Sequence, residues 1–253
     1  MKTGFILSTG RTGTDFFTHF FNNVVKNSWS LHEPTPAFKR RSFELVSRGH
    51  TLYEKIYFKI PRLYRHLLRD KDYYIESNYH LFSLVPLLRE AFEDPIVIHV
   101  IRDGRDVVRS WLNRGWFLDD PGSKLSPHYF EGYDQATDCW EDWNALEKVA
   151  WYWKAVNEVI HEQSPDVTVY FEDIFYDKHE GIYEILDQFD DMEYRDEGVQ
   201  NSFQQKVNKS THKLVPKYPE WPDSWKEQFQ SIAGNAMEKW EYDDSYGGNK
   251  ETR

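Results

Sequence analysis

Arg11 stands inside a turn, Ser8-Thr9-Gly10-Arg11-Thr12-Gly13-Thr14-Asp15, that follows the apolar run Phe5-Ile6-Leu7. Phe16, Phe17, Phe20 and Phe21 come next at helical spacing. A strand, a turn of this composition and a helix are the parts of an anion site. The first amides of a helix have no partner inside it, and the helix dipole is positive at that end. Gly10 and Gly13 let a phosphate approach the backbone, Thr12 and Thr14 add hydroxyl donors, and Arg11 adds a fixed charge. The bland alternative is an ordinary strand-to-helix turn; the arginine between the glycines favours a phosphate loop. A Walker A loop closes Gly-Lys-Ser/Thr, its lysine on the outer phosphates and its hydroxyl on magnesium. Here Gly13 is followed by Thr14 and Asp15, and the cation precedes the glycine. That points away from a magnesium–ATP kinase and towards a different phosphate-bearing donor.

A second cation stands in residues 96–115, IVIHVIRDGRDVVRSWLNRG. Residues 96–101 read as a buried strand, Asp103 as the cap of the next helix, and Arg102 as the end of the strand. Ser110 lies about two helical turns further on. Ligands of open parallel sheets sit beyond the carboxyl ends of the strands, so Arg102 is placed for a second phosphate. The competing reading is an arginine paired with Asp103 and Asp106. Two carboxylates end strands in the same way. Glu33 follows Ser28-Trp29-Ser30-Leu31 in His32-Glu33-Pro34, where the proline is expected to keep Glu33 extended. Glu76 ends the strand that begins Tyr73-Tyr74-Ile75.

The elements that must position these groups alternate. Helix one is expected over residues 13–26, a second strand over 28–31, a third from Tyr73, a helix over 81–92, and the Arg102 strand after it. A long helix is expected over 140–162, a strand over 167–171 and a final helix over 225–240. Strands alternating with helices at this pitch imply right-handed crossovers and a parallel sheet. The fold class is therefore α/β: one domain over residues 1–253, a three-layer sandwich with a central parallel sheet flanked by helices. Residues 36–70 are basic and helical in pattern, either a solvated face or a positive rim that attracts an anion. Residues 115–138, rich in Gly, Pro and Asp, form a loop long enough to be functional, a lid or acceptor wall. Trp116, Phe117, Tyr129, Phe130 and Tyr133 there could stack on an acceptor or merely pack. Trp140, Trp143, Trp151 and Trp153 are read as core. Residues 243–253 are read as a fraying tail.

Composition narrows the classes. The chain has 253 residues, 40% hydrophobic and 17% aromatic, with a net charge of −11. That charge argues against a broad nucleic-acid surface. The single Cys139 excludes an internal disulfide, fits a reducing compartment and reads as structural. No signal-peptide pattern opens the sequence, and no run approaches the ~18 apolar residues of a membrane span. A cytoplasmic protein is expected. The histidines are scattered, without metal-ligand spacing.

Together the two cationic stretches resemble the sulfotransferase superfamily, whose donor is 3′-phosphoadenylyl sulfate (PAPS). In that family a loop of the form [Arg/Lys]-x-Gly-Thr, entering a helix, cradles the donor's 5′-phosphosulfate, and Arg11-Thr12-Gly13-Thr14 matches it. A later arginine with a serine eight residues on binds the 3′-phosphate, as Arg102 and Ser110 are spaced within RDGRDVVRS. Asn208, Lys209 and Ser210 are similar to a late loop that closes over the nucleotide in bacterial members. Glu172-Asp173 and the helix LEKVAWYWKAVNEVI are familiar from the same group. The resemblance spans nearly the whole chain and implies a P-loop NTPase-like fold. The implied nucleotide set is Gly10, Arg11, Thr12, Gly13, Thr14, Asp15, Arg102, Ser110, Asn208, Lys209 and Ser210. Asp15 is a departure, since many members carry a second Thr or Ser there.

The resemblance implies transfer of a sulfuryl group from PAPS to a hydroxyl or amine of an acceptor, a carbohydrate among the candidates, by in-line displacement. PAP, adenosine 3′,5′-bisphosphate, leaves, and the scheme requires no metal. Arg11 is the choice for stabilising the leaving oxygen. For the general base, Glu33 resembles the glutamate of protein-tyrosine and several bacterial sulfotransferases, and Glu76 that of heparan-type enzymes. Both stay open, with Glu33 favoured. His32 and His80 are outside candidates, because small-molecule members use a histidine. The competing functions are a nucleotide or small-molecule kinase on the same fold and a non-catalytic nucleotide-binding module.

Overall fold

The computed structural model describes residues 1–34, 42, 45, 46, 49–67, 70–115, 139–176, 178–204 and 215–242, with the backbone alone over 61–67. Five strands form one sheet: β1 (Lys2–Leu7), β2 (Ser28–His32), β3 (Tyr73–Ser77), β4 (Ile96–Ile101) and β5 (Val167–Tyr170). Their order is β2-β3-β1-β4-β5, and every pairing is parallel. From β1 the chain runs to the edge strand β2, returns inward to β3, and then crosses to β4 and β5 on the other side of β1. In open parallel sheets ligands sit where the strand order reverses, which here is the carboxyl end of β1.

Strand side chains alternate between two cores, which is why the strands read as continuous apolar runs. Ile6, Ile75, Ile98, Val100 and Val169 face one layer. Its helices are α1 (Thr14–Val24), α6 (Phe171–Phe175), α7 (Glu180–Leu186) and α8 (Asp196–Ser202). Phe5, Leu7, Tyr74, Val97 and Ile101 face the other. That layer is built from α2 (Leu52–Leu67), α3 (Val85–Ala91), α4 (Gly104–Leu112), α5 (Ala145–Glu162) and α9 (Asp223–Lys239). The three-layer α/β sandwich is as expected. Trp140, Trp151 and Trp153 are core residues, with Trp143 packed against them.

The helix ends differ from the sequence reading where local capping decides them. The long helix starts at Ala145, not at residue 140, because Asn144 and Glu147 form a capping box. The helix expected over 81–92 is a 3-10 turn (Tyr79–Leu81) followed by α3, and Asn78 caps the turn by accepting from the His80 amide. The loop expected over 115–138 lies, apart from Gly115, outside the described residues, as do the tail and Asn208, Lys209 and Ser210.

Candidate active site

The phosphate loop leaves β1 at Leu7 and enters α1 at Thr14. Gly10, Arg11 and Gly13 all have left-handed backbones, with φ of 73°, 59° and 79°. For the two glycines this conformation is free. Space also requires them: a Cβ on Gly13 would lie 2.6 Å from the Phe175 ring, and one on Gly10 would lie 3.0 Å from Trp111. Arg11 adopts the same region at a cost, the kind of local strain that surrounding contacts must hold. Those contacts are present. The Thr12 hydroxyl donates to Ser8 Oγ at 2.7 Å, Ser8 Oγ accepts from the Gly10 amide at 3.1 Å, and Tyr152 donates to the Thr9 carbonyl at 3.1 Å. Gly13 provides no side-chain cap for α1, so the first-turn amides face the loop's own concavity without one.

The two cationic stretches meet here, although nearly a hundred residues separate them. Arg11 donates from Nε to Ser110 Oγ at 2.9 Å. Arg102 donates to the Arg11 carbonyl at 2.6 Å, and its guanidinium lies 4.2 Å from the centre of the Phe171 ring. Trp153 and Glu172 fix the turn beneath Arg102. The indole donates to the Arg102 carbonyl at 2.9 Å, and Glu172 accepts from the Asp103 amide at 3.0 Å. Tyr242 donates to the other Glu172 oxygen, and burial raises the Glu172 carboxyl above its usual range. The alternative reading of Arg102 also holds in part: Asp106 lies 3.6 Å from it. Even so, Arg102 Nε is buried and has no hydrogen-bond partner among the described residues.

Charge at this end is crowded. Burial first, and then the like charges of Arg114 and Arg102, lower the Arg11 guanidinium to about 10. Arg11 and Arg102 at an uncapped helix start, with the charge of Arg114 felt by Arg11, make a site that an anion would relieve. Sequence reasoning missed Arg114, although it follows Ser110 by one helical turn.

The carboxylate end lies over β2 and β3. Glu33 is not extended as Pro34 implied: its φ is 43°. Tertiary contacts override the local rule. The Glu33 amide continues the ladder to the Ser77 carbonyl at 3.1 Å. The Glu33 carboxylate meets His32 Nε2 at 3.1 Å and His80 Nε2 at 3.6 Å. Glu76 differs sharply. It is fully buried, and its two oxygens accept from Tyr74 at 2.8 Å and Asn78 at 2.9 Å. Tyr79 connects the two ends. Burial pushes its hydroxyl up, the Glu33 charge adds to that, and the Arg11 charge opposes it. Tyr79 packs edge-on against Trp111 as part of the wall behind Gly10. Neither aromatic had a sequence signal beyond apolar burial.

Asp15 meets His32: Oδ1 lies 3.1 Å from His32 Nδ1. Among the described residues no group of three or more His, Cys, Asp or Glu side chains is gathered as a metal site, and no helix is long and apolar enough to cross a membrane.

No protein-family model matches the chain, and no curated protein sequence matches it. Solved structures do. The sulfotransferase domain from the curacin biosynthetic pathway is similar with a TM-score of 0.54 at 12% identity, over 96% of this chain and 98% of that one. A sulfotransferase from Alicyclobacillus acidocaldarius has a TM-score of 0.49 at 13% identity, over 95% and 94%. Mouse sulfotransferase SULT7A1, complexed with PAP, has 0.44 at 11% identity, over 94% and 82%. The first of these establishes the fold: the chain has the P-loop NTPase-like α/β fold of a sulfotransferase domain.

Proposed function

We propose that the chain is a sulfotransferase that moves a sulfuryl group from PAPS to a hydroxyl or amine of its acceptor. The observation that carries the reading is the meeting of the two cationic stretches beside the uncapped start of α1, where Arg102 donates to the Arg11 carbonyl and Arg11 to Ser110. The fold shared with a sulfotransferase domain supports it. The donor fits the residues present. The Thr12, Gly13 and Thr14 amides would hold the 5′-phosphosulfate, and the buried, unpartnered Nε of Arg102 supplies a donor for the 3′-phosphate. Ser110 would orient Arg11 as well as meet phosphate, since Arg11 Nε already donates to it.

In this mechanism Glu33 takes the proton of the acceptor as its oxygen or nitrogen bonds to sulfur. Arg11 and the loop amides stabilise the charge that collects on the bridging oxygen as the sulfur–oxygen bond to the phosphate breaks. Glu76 is the weaker base candidate, because both its oxygens are already occupied and solvent does not reach it. Its role is to hold Asn78, which caps the turn carrying Tyr79 and His80. Asn208, Lys209 and Ser210 would close over the nucleotide, residues 115–138 would face the acceptor, and a carbohydrate is a candidate acceptor. A cytoplasmic location completes the reading.

The test is a labelled-donor assay. Purified protein is incubated with [35S]PAPS and a panel of phenols, amines and monosaccharides. Labelled product and PAP should form together, and PAP should bind the free protein. Binding of magnesium–ATP with phosphoryl transfer would replace this reading by a kinase. PAP binding without turnover across the panel would replace it by a binding module.

A further inference from the structure

His32, the last residue of β2, is half-buried at the seam between that strand and α1. Nδ1 lies 3.1 Å from Asp15 Oδ1, while Nε2 lies 3.1 Å from Glu33 Oε1 and 3.0 Å from the Thr14 hydroxyl. A neutral imidazole has one donor nitrogen and one acceptor nitrogen. The acceptor would face a carboxylate oxygen, lone pair against lone pair. With a carboxylate at each nitrogen, only the imidazolium satisfies both.

We propose that His32, as an imidazolium, is a positioning residue that bridges Asp15 to Glu33 and so fixes the base against the phosphate loop. Three elements meet in this bridge. Asp15 and Thr14 come from the first turn of α1, Glu33 from the end of β2, and His80, on the 3-10 turn, touches the other Glu33 oxygen at 3.6 Å. The bridge gives Asp15 a purpose. A carboxylate beside a phosphate would repel it, whereas a carboxylate spent on an imidazolium does not. The bridge also accounts for the left-handed Glu33, whose φ of 43° turns the side chain back onto His32. The electrostatics agree in direction. Burial lowers the His32 imidazolium, but the hydrogen bond and charge of Glu33 and the charge of Asp15 outweigh it, so its pKa is raised above 6.5.

The kinetic half of the proposal rests on Glu33 being the base; the bridge itself does not. Histidine-labelled NMR of the full chain reads the bridge directly. His32 should titrate above 6.5 in the wild type and move down in both Asp15→Asn and Glu33→Gln. A His32 that titrates at or below 6.5, or that neither substitution moves, overturns the bridge. For the kinetic half, PAP formation from PAPS is followed with the most active acceptor of the panel. Misplacing a reacting group costs on the order of tenfold to hundredfold, so His32→Gln should lower kcat by that factor with little change in the KM for PAPS. The wild-type decline of kcat as pH rises through the His32 pKa should vanish in this variant. Persistence of that decline, or equal damage to kcat and to donor affinity, overturns the positioning role. Full turnover in Glu33→Gln sinks the base reading and the kinetic half with it, while the bridge stands or falls on the titration alone.

Discussion

Two histidines on this sheet lie in opposite fields. His32, at the carboxyl edge of β2, has a carboxylate at each ring nitrogen, and its imidazolium is favoured. His99, on β4, is fully buried against α5 and pairs with Asn157 at 3.0 Å. Burial lowers its pKa to about 4. The two glutamates on the neighbouring strands divide the same way. Glu33 keeps its carboxylate partly in solvent among histidines, whereas Glu76, only one register step from the edge, is enclosed and satisfied by Tyr74 and Asn78. The edge of the sheet keeps charges available, and the interior neutralises or occupies them. Position along a strand does not decide which occurs; the layer that covers the residue does.

The sharpest way to break this contrast is to exchange the two glutamates for their amides. General-base contributions are typically about 10²–10⁴-fold in rate. Glu33→Gln should lower sulfuryl transfer by roughly that factor while PAP affinity, measured by calorimetry, stays nearly unchanged. Glu76→Gln should change the rate far less and show itself as a lower melting temperature, since a buried acceptor is replaced by a donor facing the Tyr74 hydroxyl or the Asn78 amide. A mild Glu33→Gln beside a dead Glu76→Gln would assign the chemistry to the enclosed carboxylate.

The cations come next. A hydrogen bond to a charged group is worth about 1.5–3 kcal/mol, so Arg102→Ala should weaken PAP binding at least about tenfold. Adenosine 5′-phosphate, which lacks the 3′-phosphate, should bind almost as before. Equal losses for the two ligands would remove Arg102 from the 3′ site and leave it as the partner of Asp106.

The interior is tested by acid. His99 is neutral in the folded protein down to about pH 4, while in the unfolded chain it charges below about 6.5. Between those values the unfolded chain holds the proton and the folded chain does not, so stability rises with pH and is lost on acidification. From pH 7 to pH 5 the loss from this residue is roughly 2 kcal/mol. Urea unfolding of the wild type and of His99→Gln at both pH values should show a smaller acid loss in the variant. Identical losses would mean that His99 is not the buried titrating group.

Much of this arrangement was legible in the sequence, for identifiable reasons. Strands buried on both faces read as unbroken apolar runs, and the pairing of Arg11-Thr12-Gly13-Thr14 with Arg102 and Ser110 survives in one dimension because each motif is local. Glu33 and Glu76 could not be separated, because what distinguishes them is the cover supplied by Tyr74, Asn78, His32 and His80 in three dimensions. The backbone of Glu33 was misread because a rule for the residue before proline carries no knowledge of the Ser77 carbonyl or of the histidines. The start of the long helix was readable and was missed: Asn144 followed three residues later by Glu147 is a capping signature. That His32 lies against Asp15 has no signal in the sequence, because the two meet only when β2 packs beside α1.

Arg114 gives the smallest effect and the finest test of the charged edge. It is exposed, one turn past Ser110, and it acts on Arg11 through charge rather than through contact. Exposed charge interactions are worth about 0.2–1 kcal/mol. Removing Arg114 should therefore weaken PAP binding by only about one-and-a-half- to fivefold. Two features separate this from loss of a direct ligand. The deficit should shrink as salt rises, because the Debye length falls from about 10 Å at 0.1 M to about 3 Å at 1 M. Arg114→Lys should restore binding, since a point charge suffices where no forked hydrogen bond is made. A deficit that persists at high salt and is not rescued by lysine would place Arg114 in contact with the nucleotide and extend the cationic edge to three direct ligands.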